Sequence, residues 1–148
     1  MARGGTADDD AHASIVGYGA FLLLSSAAVS ESIERGDNIE IVHVVVTNAA
    51  DVCSVYGDVS DQIDITLGTI LRTLTRSTDL IGRVSGSSYS ILMEGAPHGA
   101  GLHLADRIVR AAESYNAIRG LDWPIDVSCE VLDGAAVQQL SDVFDITV

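Results

Sequence analysis

Residues 76–89 read Arg-Ser-Thr-Asp-Leu-Ile-Gly-Arg-Val-Ser-Gly-Ser-Ser-Tyr, and the other predicted elements are arranged around this segment. Apolar and polar residues alternate over residues 80–84 and again over residues 89–93, on either side of a short polar segment. Such alternation predicts two antiparallel strands joined by a hairpin, in which Gly86 supplies the backbone freedom that a tight turn needs. The stretch therefore predicts a hairpin with charged groups immediately upstream.

The segment before the hairpin predicts a helix, a strand and a second helix. Residues 14–35 suit an amphipathic helix that ends at Gly36. Residues 39–46 form an almost continuous β-branched run, which is typical of a central strand buried on both faces. Residues 59–75 carry apolar residues at helical spacing. The inward side of the first helix is predicted to contain Val16, Phe21, Leu24, Ala28 and Ile33.

The segment after the hairpin predicts a helix that begins near Pro97, a strand over residues 125–132 and a short helix over residues 137–144. Residues 1–12 are small, polar and acidic, so we expect a flexible arm ahead of one domain spanning residues 13–148. The order of elements predicts an α/β chain of the α+β sandwich type, with a mostly antiparallel central sheet flanked by helices.

The composition restricts the ligands that the chain can bind. The formal charge is −13, from 21 acidic and eight basic residues, and every basic residue is an arginine. A surface this acidic repels nucleic acid and anionic membranes, so neither is expected as a partner. An anionic ligand would need a local group of arginines, and the candidates are Arg72, Arg76, Arg83, Arg107 and Arg110.

The cysteines and the histidine of the β-branched run do not predict a metal site. Cys53 and Cys129 lack metal-ligand spacing and are predicted to be buried free thiols in a reducing cytoplasm. His43 is interpreted as a core or edge residue rather than a ligand. The apolar run over residues 21–24 is far short of the roughly 20 residues that span a bilayer. We therefore expect a cytoplasmic domain without direct membrane insertion.

The hairpin resembles the signature of the GGDEF family of diguanylate cyclases, in which an arginine and a spacer precede Gly-Gly-Asp/Glu-Glu-Phe. The matching residues are Arg83, Val84, Ser85, Gly86, Ser87, Ser88 and Tyr89. The arginine and the aromatic position are kept, whereas both acidic positions are serine. The resemblance covers roughly residues 39–132 and implies the palm-like fold of a degenerate GGDEF domain.

The same resemblance implies that the catalytic groups are missing. It places Val45 and Thr47 where the family has its metal-binding aspartates, and neither side chain offers a carboxylate to a hard cation. Cys53 and Gln62 fall at the guanine-reading positions, and no cation follows Arg119 to bind a triphosphate. We therefore expect no diguanylate cyclase activity, no catalytic residue, no metal site and no cofactor.

One further motif of the family is present. Residues 76–79 read Arg-x-x-Asp, six residues ahead of Ser85, as in the family's inhibitory site for cyclic di-GMP. Counting onward without gaps places the site's second arginine at Arg107. The resemblance thus implies a cyclic di-GMP site formed by Arg76, Asp79 and Arg107. The alternative is that Arg76 and Asp79 form an ordinary surface salt bridge.

Three functions remain open on the sequence alone. The first is an inactive GGDEF-like domain that acts as a receptor for cyclic di-GMP. The second is a ligand-free module that forms a homodimer or docks a protein partner through the apolar N-terminal helix or the hairpin face. An enzyme or a GTP-binding regulator is a third alternative, against which the missing carboxylates argue.

Overall fold

The computed structural model describes residues 15–85, 87–119, 123–134 and 137, with the backbone alone at Arg119. The helices and strands of this part of the chain are β1 (Ile15–Gly17), α1 (Tyr18–Arg35), β2 (Ile39–Val46), α2 (Ala49–Tyr56), α3 (Ser60–Leu74), β3 (Leu80–Ser85), β4 (Ser88–Glu94), α4 (Ala100–Arg119) and β5 (Val127–Leu132).

Most of the predicted elements are confirmed. β2 has the predicted bounds, α3 agrees to within one residue at each end, and β3 and β4 form the predicted hairpin. The arm over residues 1–12 and the turn residue Gly86 lie outside the described residues, as does the helix over residues 137–144 apart from Val137.

The five strands form one mixed sheet in the order β1-β3-β4-β2-β5. β1 pairs with β3 in parallel, and the other three pairings are antiparallel. β2 lies between β4 and β5, so its backbone is hydrogen-bonded on both sides and its side chains are covered on both faces. The predicted fold class, an α+β sandwich around a mostly antiparallel sheet, is confirmed.

The prediction that residue 14 begins a helix is wrong. Ile15 and Val16 pair with Ile81 and Gly82 as a short edge strand, and α1 begins only at Tyr18. Two consecutive β-branched residues favour an extended backbone where a neighbouring strand can accept them. The edge of β3 provides that strand, which the local sequence does not reveal.

Helices cover both faces of the sheet. Alternate residues of β2, Val42 and Val44, contribute to the larger core with α3 and α4, whereas Ile39 and Ile41 face α1. The period of two along a strand sends neighbouring side chains to opposite faces. Phe21, Val29, Ile39, Ile41, Leu92 and Val137 form the smaller core on the α1 face.

The inward side of α1 differs from the prediction. Its buried residues are Phe21, Ser25, Val29 and Ser32, whereas Leu24 is 51% exposed and Ile33 is 40% exposed. The close contact of Phe21 with Gly82 sets the rotation of the helix, because a Cβ at residue 82 would lie 2.2 Å from Phe21 Cγ. Glycine in β3 thus allows the aromatic ring to rest directly on the sheet.

No pattern in the sequence predicts α2. This helix has eight residues and ends at Gly57, whose φ is 85°. Eight residues complete about two turns, too few for a helical repeat of apolar residues to stand out.

The cysteines are free thiols, as predicted, but both are half-buried rather than buried. Burial raises the pKa of the Cys129 thiol to about 11. No helix in the described ranges is both long enough and apolar enough to cross a membrane.

Candidate functional site

Arg76, Asp79 and Arg107 line one cavity of about 180 Å³ on the α3–α4 face of the sheet. Arg76 and Asp79 belong to the turn between α3 and β3, whereas Arg107 projects from α4. The remaining wall is largely apolar and contains Leu74, Met93, Ala96, Pro97, Ala100 and Leu104. The three residues that the sequence singled out therefore converge, although 28 positions separate Asp79 from Arg107 in the chain.

Arg76 and Asp79 are locked together by four hydrogen bonds. Asp79 Oδ1 accepts from Arg76 Nε at 3.1 Å and from Nη2 at 2.7 Å, while Oδ2 accepts from the Arg76 backbone N–H at 2.9 Å. The Asp79 N–H in turn donates to the Arg76 carbonyl at 3.0 Å. The Asp79 side chain is 1% exposed and that of Arg76 is 47% exposed. The predicted ion pair exists, but its carboxylate is buried, so it is not an ordinary surface salt bridge.

This arrangement fixes the plane of the Arg76 guanidinium. Two of its nitrogens face Asp79, and nearly half of the side chain remains open to solvent. A guanidinium held in this way has donors left for a phosphate or for the O6 and N7 edge of guanine. Asp79 therefore acts mainly by positioning Arg76.

Arg107 supplies the second cation from the opposite wall. Its side chain is exposed, and it has no ion-pair partner among the described residues. His103 precedes it by one helical turn and lines the same cavity. His103 was not predicted as a site residue, although its spacing of four from Arg107 places both residues on one helix face.

A buried carboxylate holds the α4 wall in place. Glu40 on β2 is 1% exposed and accepts hydrogen bonds from the backbone N–H groups of Gly99 at 3.1 Å and Gly101 at 2.7 Å. Asn38 Nδ2 donates a third, at 2.9 Å. A negative charge at a helix N-terminus satisfies unpaired N–H groups and interacts favourably with the helix dipole. Glu40 thereby fixes the start of the helix that carries Arg107.

The five arginines proposed as a cluster do not form one group. Arg83 pairs with Asp64, and Arg110 pairs with Asp106 at 3.0 Å along α4. Arg72 and Arg83 line a different cavity, of about 370 Å³, beside α3. Of the five, Arg76 and Arg107 are the two that line the cavity described above, whereas Arg110 is turned toward Asp106.

The Asp64–Arg83 pair lies close to the turn of the hairpin, where Arg83 is paired with Tyr89. Burial raises the pKa of the Asp64 carboxyl, and the nearby Arg83 guanidinium opposes that shift. Burial, together with the Asp64 charge, raises the pKa of the Tyr89 hydroxyl, which lies 3.4 Å from Asp64 Oδ1. The signature arginine and aromatic residue thus contact the same carboxylate.

In the region where the resemblance places the nucleotide, none of the described residues that line the cavity is charged. A cavity of about 180 Å³ is bounded there by Ala49, Ala50, Cys53, Ser60, Ile63 and Ser87. Val45 and Thr47 occupy the expected metal positions, and Thr47 Oγ1 donates to the Asp126 carbonyl at 3.3 Å. Within the described ranges, no group of three or more His, Cys, Asp or Glu side chains is arranged to hold a metal ion.

No protein-family model matches the chain, and no curated protein shows significant similarity to it. Solved structures, in contrast, are clearly similar. The GGDEF domain of TpbB (YfiN) from Pseudomonas aeruginosa superposes with a TM-score of 0.73 and 17% identity, covering 87% of this chain and 81% of that domain. The GGDEF domain of DgcB from Caulobacter crescentus, solved in complex with c-di-GMP, superposes with a TM-score of 0.71 and 15% identity. The match covers 86% of this chain and 81% of that chain.

The active GGEEF domain of a diguanylate cyclase from Vibrio cholerae is also similar, with a TM-score of 0.65 and 18% identity over 79% of this chain and 80% of that one. At these identities the likeness concerns the fold. The chain therefore has the palm-like fold of GGDEF domains.

Proposed function

We propose that this GGDEF-fold domain is a receptor for cyclic di-GMP without cyclase activity of its own. The observation that carries the proposal is the convergence of Arg76, Asp79 and Arg107 on one cavity. The fold likeness to a GGDEF domain solved in complex with c-di-GMP supports the same ligand.

The chemistry of the cavity suits a nucleotide with a negatively charged phosphodiester. Arg76, held by Asp79, would donate to the guanine edge or to a phosphate, and Arg107 would bind phosphate from α4. Both cations are needed, because the chain carries a formal charge of −13 and otherwise repels anions.

The size of the cavity bears on how the receptor would act. Pockets that enclose a drug-sized ligand measure roughly 300–1,000 Å³, whereas this cavity measures about 180 Å³. A cyclic dinucleotide would therefore lie partly outside it. The exposed part of the ligand would be available to a second surface, which supports a role in bridging two chains.

The proposed absence of cyclase activity rests on the side chains in the signature region. Ser87, Val45 and Thr47 stand where carboxylates would be needed to hold a metal ion against a triphosphate. Incubation with GTP and Mg²⁺ tests this part of the proposal. Formation of cyclic di-GMP by the purified chain would overturn it.

Calorimetric titration with cyclic di-GMP tests the receptor. Charge-assisted hydrogen bonds contribute about 1.5–3 kcal/mol, so we expect Arg107→Ala to weaken binding about 10- to 100-fold. Arg110→Ala is the matched control, because Arg110 lies on the same helix, pairs with Asp106 and is not part of the cavity. Equal effects of the two variants, or no binding by the unsubstituted chain, would refute the receptor.

Free thiols at Cys53 and Cys129 support a proposed location in the reducing cytoplasm. Peptide mapping of the protein recovered from cells, with and without reductant, tests this location. A disulfide between the two cysteines would contradict it.

A second candidate function, association through α1, is favoured by the exposed apolar residues of that helix. Leu23 is 77% exposed, and Leu24 and Tyr18 are about half exposed. Exposed apolar patches commonly mark protein interfaces. Sedimentation of the unsubstituted chain and of Leu23→Glu tests this candidate. A dimer that the substitution dissociates would support it, whereas a monomer at high concentration would exclude self-association.

A further inference from the structure

We propose that a second site, on the α1 face of the sheet, binds a small aromatic amine. The site is a cavity of about 400 Å³ between the start of α1 and strands β2, β3 and β4, with β5 at its rim. We call it the α1-face cavity. It lies on the opposite side of the sheet from Arg76 and Arg107, and it does not depend on cyclic di-GMP binding.

A row of polar side chains on three adjacent strands lines the α1-face cavity from its floor to its rim. Ser90 on β4 is paired with His43 on β2, and His43 is paired with Glu130 on β5. All three line the cavity. Paired residues of an antiparallel sheet bring their Cβ atoms to about 4.5–5.5 Å on one face. The three polar groups therefore lie side by side, with Ser90 buried and Glu130 exposed.

Ser90 fixes the orientation of the imidazole. His43 Nδ1 and Ser90 Oγ form a 2.5 Å hydrogen bond, and Ser90 is buried. His43 Nε2 has no hydrogen-bond partner among the described residues. The sequence-based view of His43 as a satisfied residue thus holds for one ring nitrogen, while the other is available to a ligand.

The walls of the α1-face cavity are apolar and partly aromatic. They are formed by Tyr18, Phe21, Leu22, Ile41, Val45 and Val84. A mostly apolar cavity with a few convergent polar groups is the usual form of a small-molecule site, and about 400 Å³ lies within the normal range. Tyr18 at the rim also offers an aromatic face to a cation.

The charge of the site selects the ligand. Glu130 carries the only formal charge among the described residues that line the cavity when His43 is neutral. None of the described lining residues is an arginine, and the whole chain is strongly acidic. Nucleotides and carboxylates are therefore disfavoured, whereas a protonated amine would gain a charge-assisted hydrogen bond to Glu130. The apolar walls would hold the aromatic body of the same molecule.

Titration of the full chain with tryptamine, with indole-3-acetate as the anionic counterpart, tests the site. We expect tryptamine to bind at least tenfold more tightly than indole-3-acetate, and Glu130→Gln to remove most of that preference. Glu94→Gln is the matched control, because it makes the same change of charge on β4 outside the cavity. The Glu94→Gln variant should prefer tryptamine to indole-3-acetate by the same factor as the unsubstituted chain.

A second variant tests whether binding occurs inside the cavity. Val45→Trp fills the α1-face cavity from a partly exposed position on β2, so it should abolish tryptamine binding. Equal affinity of the unsubstituted chain for the two indoles, or no binding at about 1 mM tryptamine, would overturn the proposal. Unchanged selectivity in Glu130→Gln or unchanged tryptamine affinity in Val45→Trp would overturn it as well.

Discussion

Glu40 Oε1 accepts a 2.7 Å hydrogen bond from the backbone N–H of Gly101, which joins the middle of the sheet to the first turn of α4. A Cβ at residue 101 would lie 2.9 Å from that oxygen and 2.8 Å from a methyl group of Val131. Glycine is therefore required for this close approach. The contact determines where α4, and with it Arg107, lies relative to the turn that carries Arg76.

Removal of the Glu40 carboxylate should destabilise the fold strongly. Glu40→Ala leaves the buried N–H of Gly101 and the partly buried N–H of Gly99 without their acceptor, and we expect a loss of about 2–4 kcal/mol in the free energy of unfolding. Chemical denaturation measures the loss. Glu31→Ala, which breaks an exposed pair with Arg35, should change the free energy by less than about 0.5 kcal/mol. Similar effects of the two variants would contradict the role assigned to Glu40.

Substitution of Gly82 tests the contact with Phe21 that sets the rotation of α1 on the sheet. In Gly82→Ala the new methyl group would lie 2.2 Å from Phe21 Cγ, so overpacking should cost about 1–3 kcal/mol. Adding Phe21→Ala should recover part of that cost, because it removes Cγ and Cδ1, the two Phe21 atoms that lie closest to the new methyl group. A double-mutant cycle by denaturation measures the coupling. Strictly additive effects would show that Phe21 does not rest on residue 82.

The stability of the protein should depend on pH through Asp64. Burial raises the pKa of this carboxyl in the folded state, and Arg83 offsets the rise only in part. The protonated form therefore favours folding. Its contribution is complete below the ordinary aspartate pKa of about 3.9 and is lost as the pH rises through the higher folded-state pKa.

Asp64→Asn removes this titration. The free energy of unfolding of the unsubstituted chain, minus that of the variant, should fall as the pH is raised from about 3.5 to 7. Urea denaturation at a series of pH values measures the difference. A difference that is constant or that increases with pH would be inconsistent with a raised pKa.

Cys129 should be a poorly reactive thiol. Burial raises its pKa to about 11, so at pH 8 its thiolate population should be roughly two orders of magnitude below that of an ordinary cysteine. Alkylation with iodoacetamide, followed by peptide mass spectrometry, should label it slowly in the folded chain and rapidly in denaturant. Equal labelling rates in both states would contradict this prediction.

Local patterns predict those helices and strands that can be recognised from their own residues alone. The hairpin of β3 and β4 and the strand β2 follow from alternation and from β-branched residues, and α3 follows from a helical repeat. The short strand β1 and the eight-residue helix α2 escaped prediction, because their length offers no repeat to recognise. The inward side of α1 was assigned by hydrophobicity, whereas contact with Gly82 placed serines inward and left Leu24 exposed.

The fold class, the serines of the hairpin signature and the spacing of Arg76, Asp79 and Arg107 can be read from the order of the residues. That these three residues share a cavity, that Arg72, Arg83 and Arg110 lie elsewhere, and that His43 faces a second cavity become visible only in the folded chain. This is because the strand order and the packing of helices on the sheet bring together residues far apart in the chain. The local repeat of apolar residues carries information about each element, but not about its neighbours.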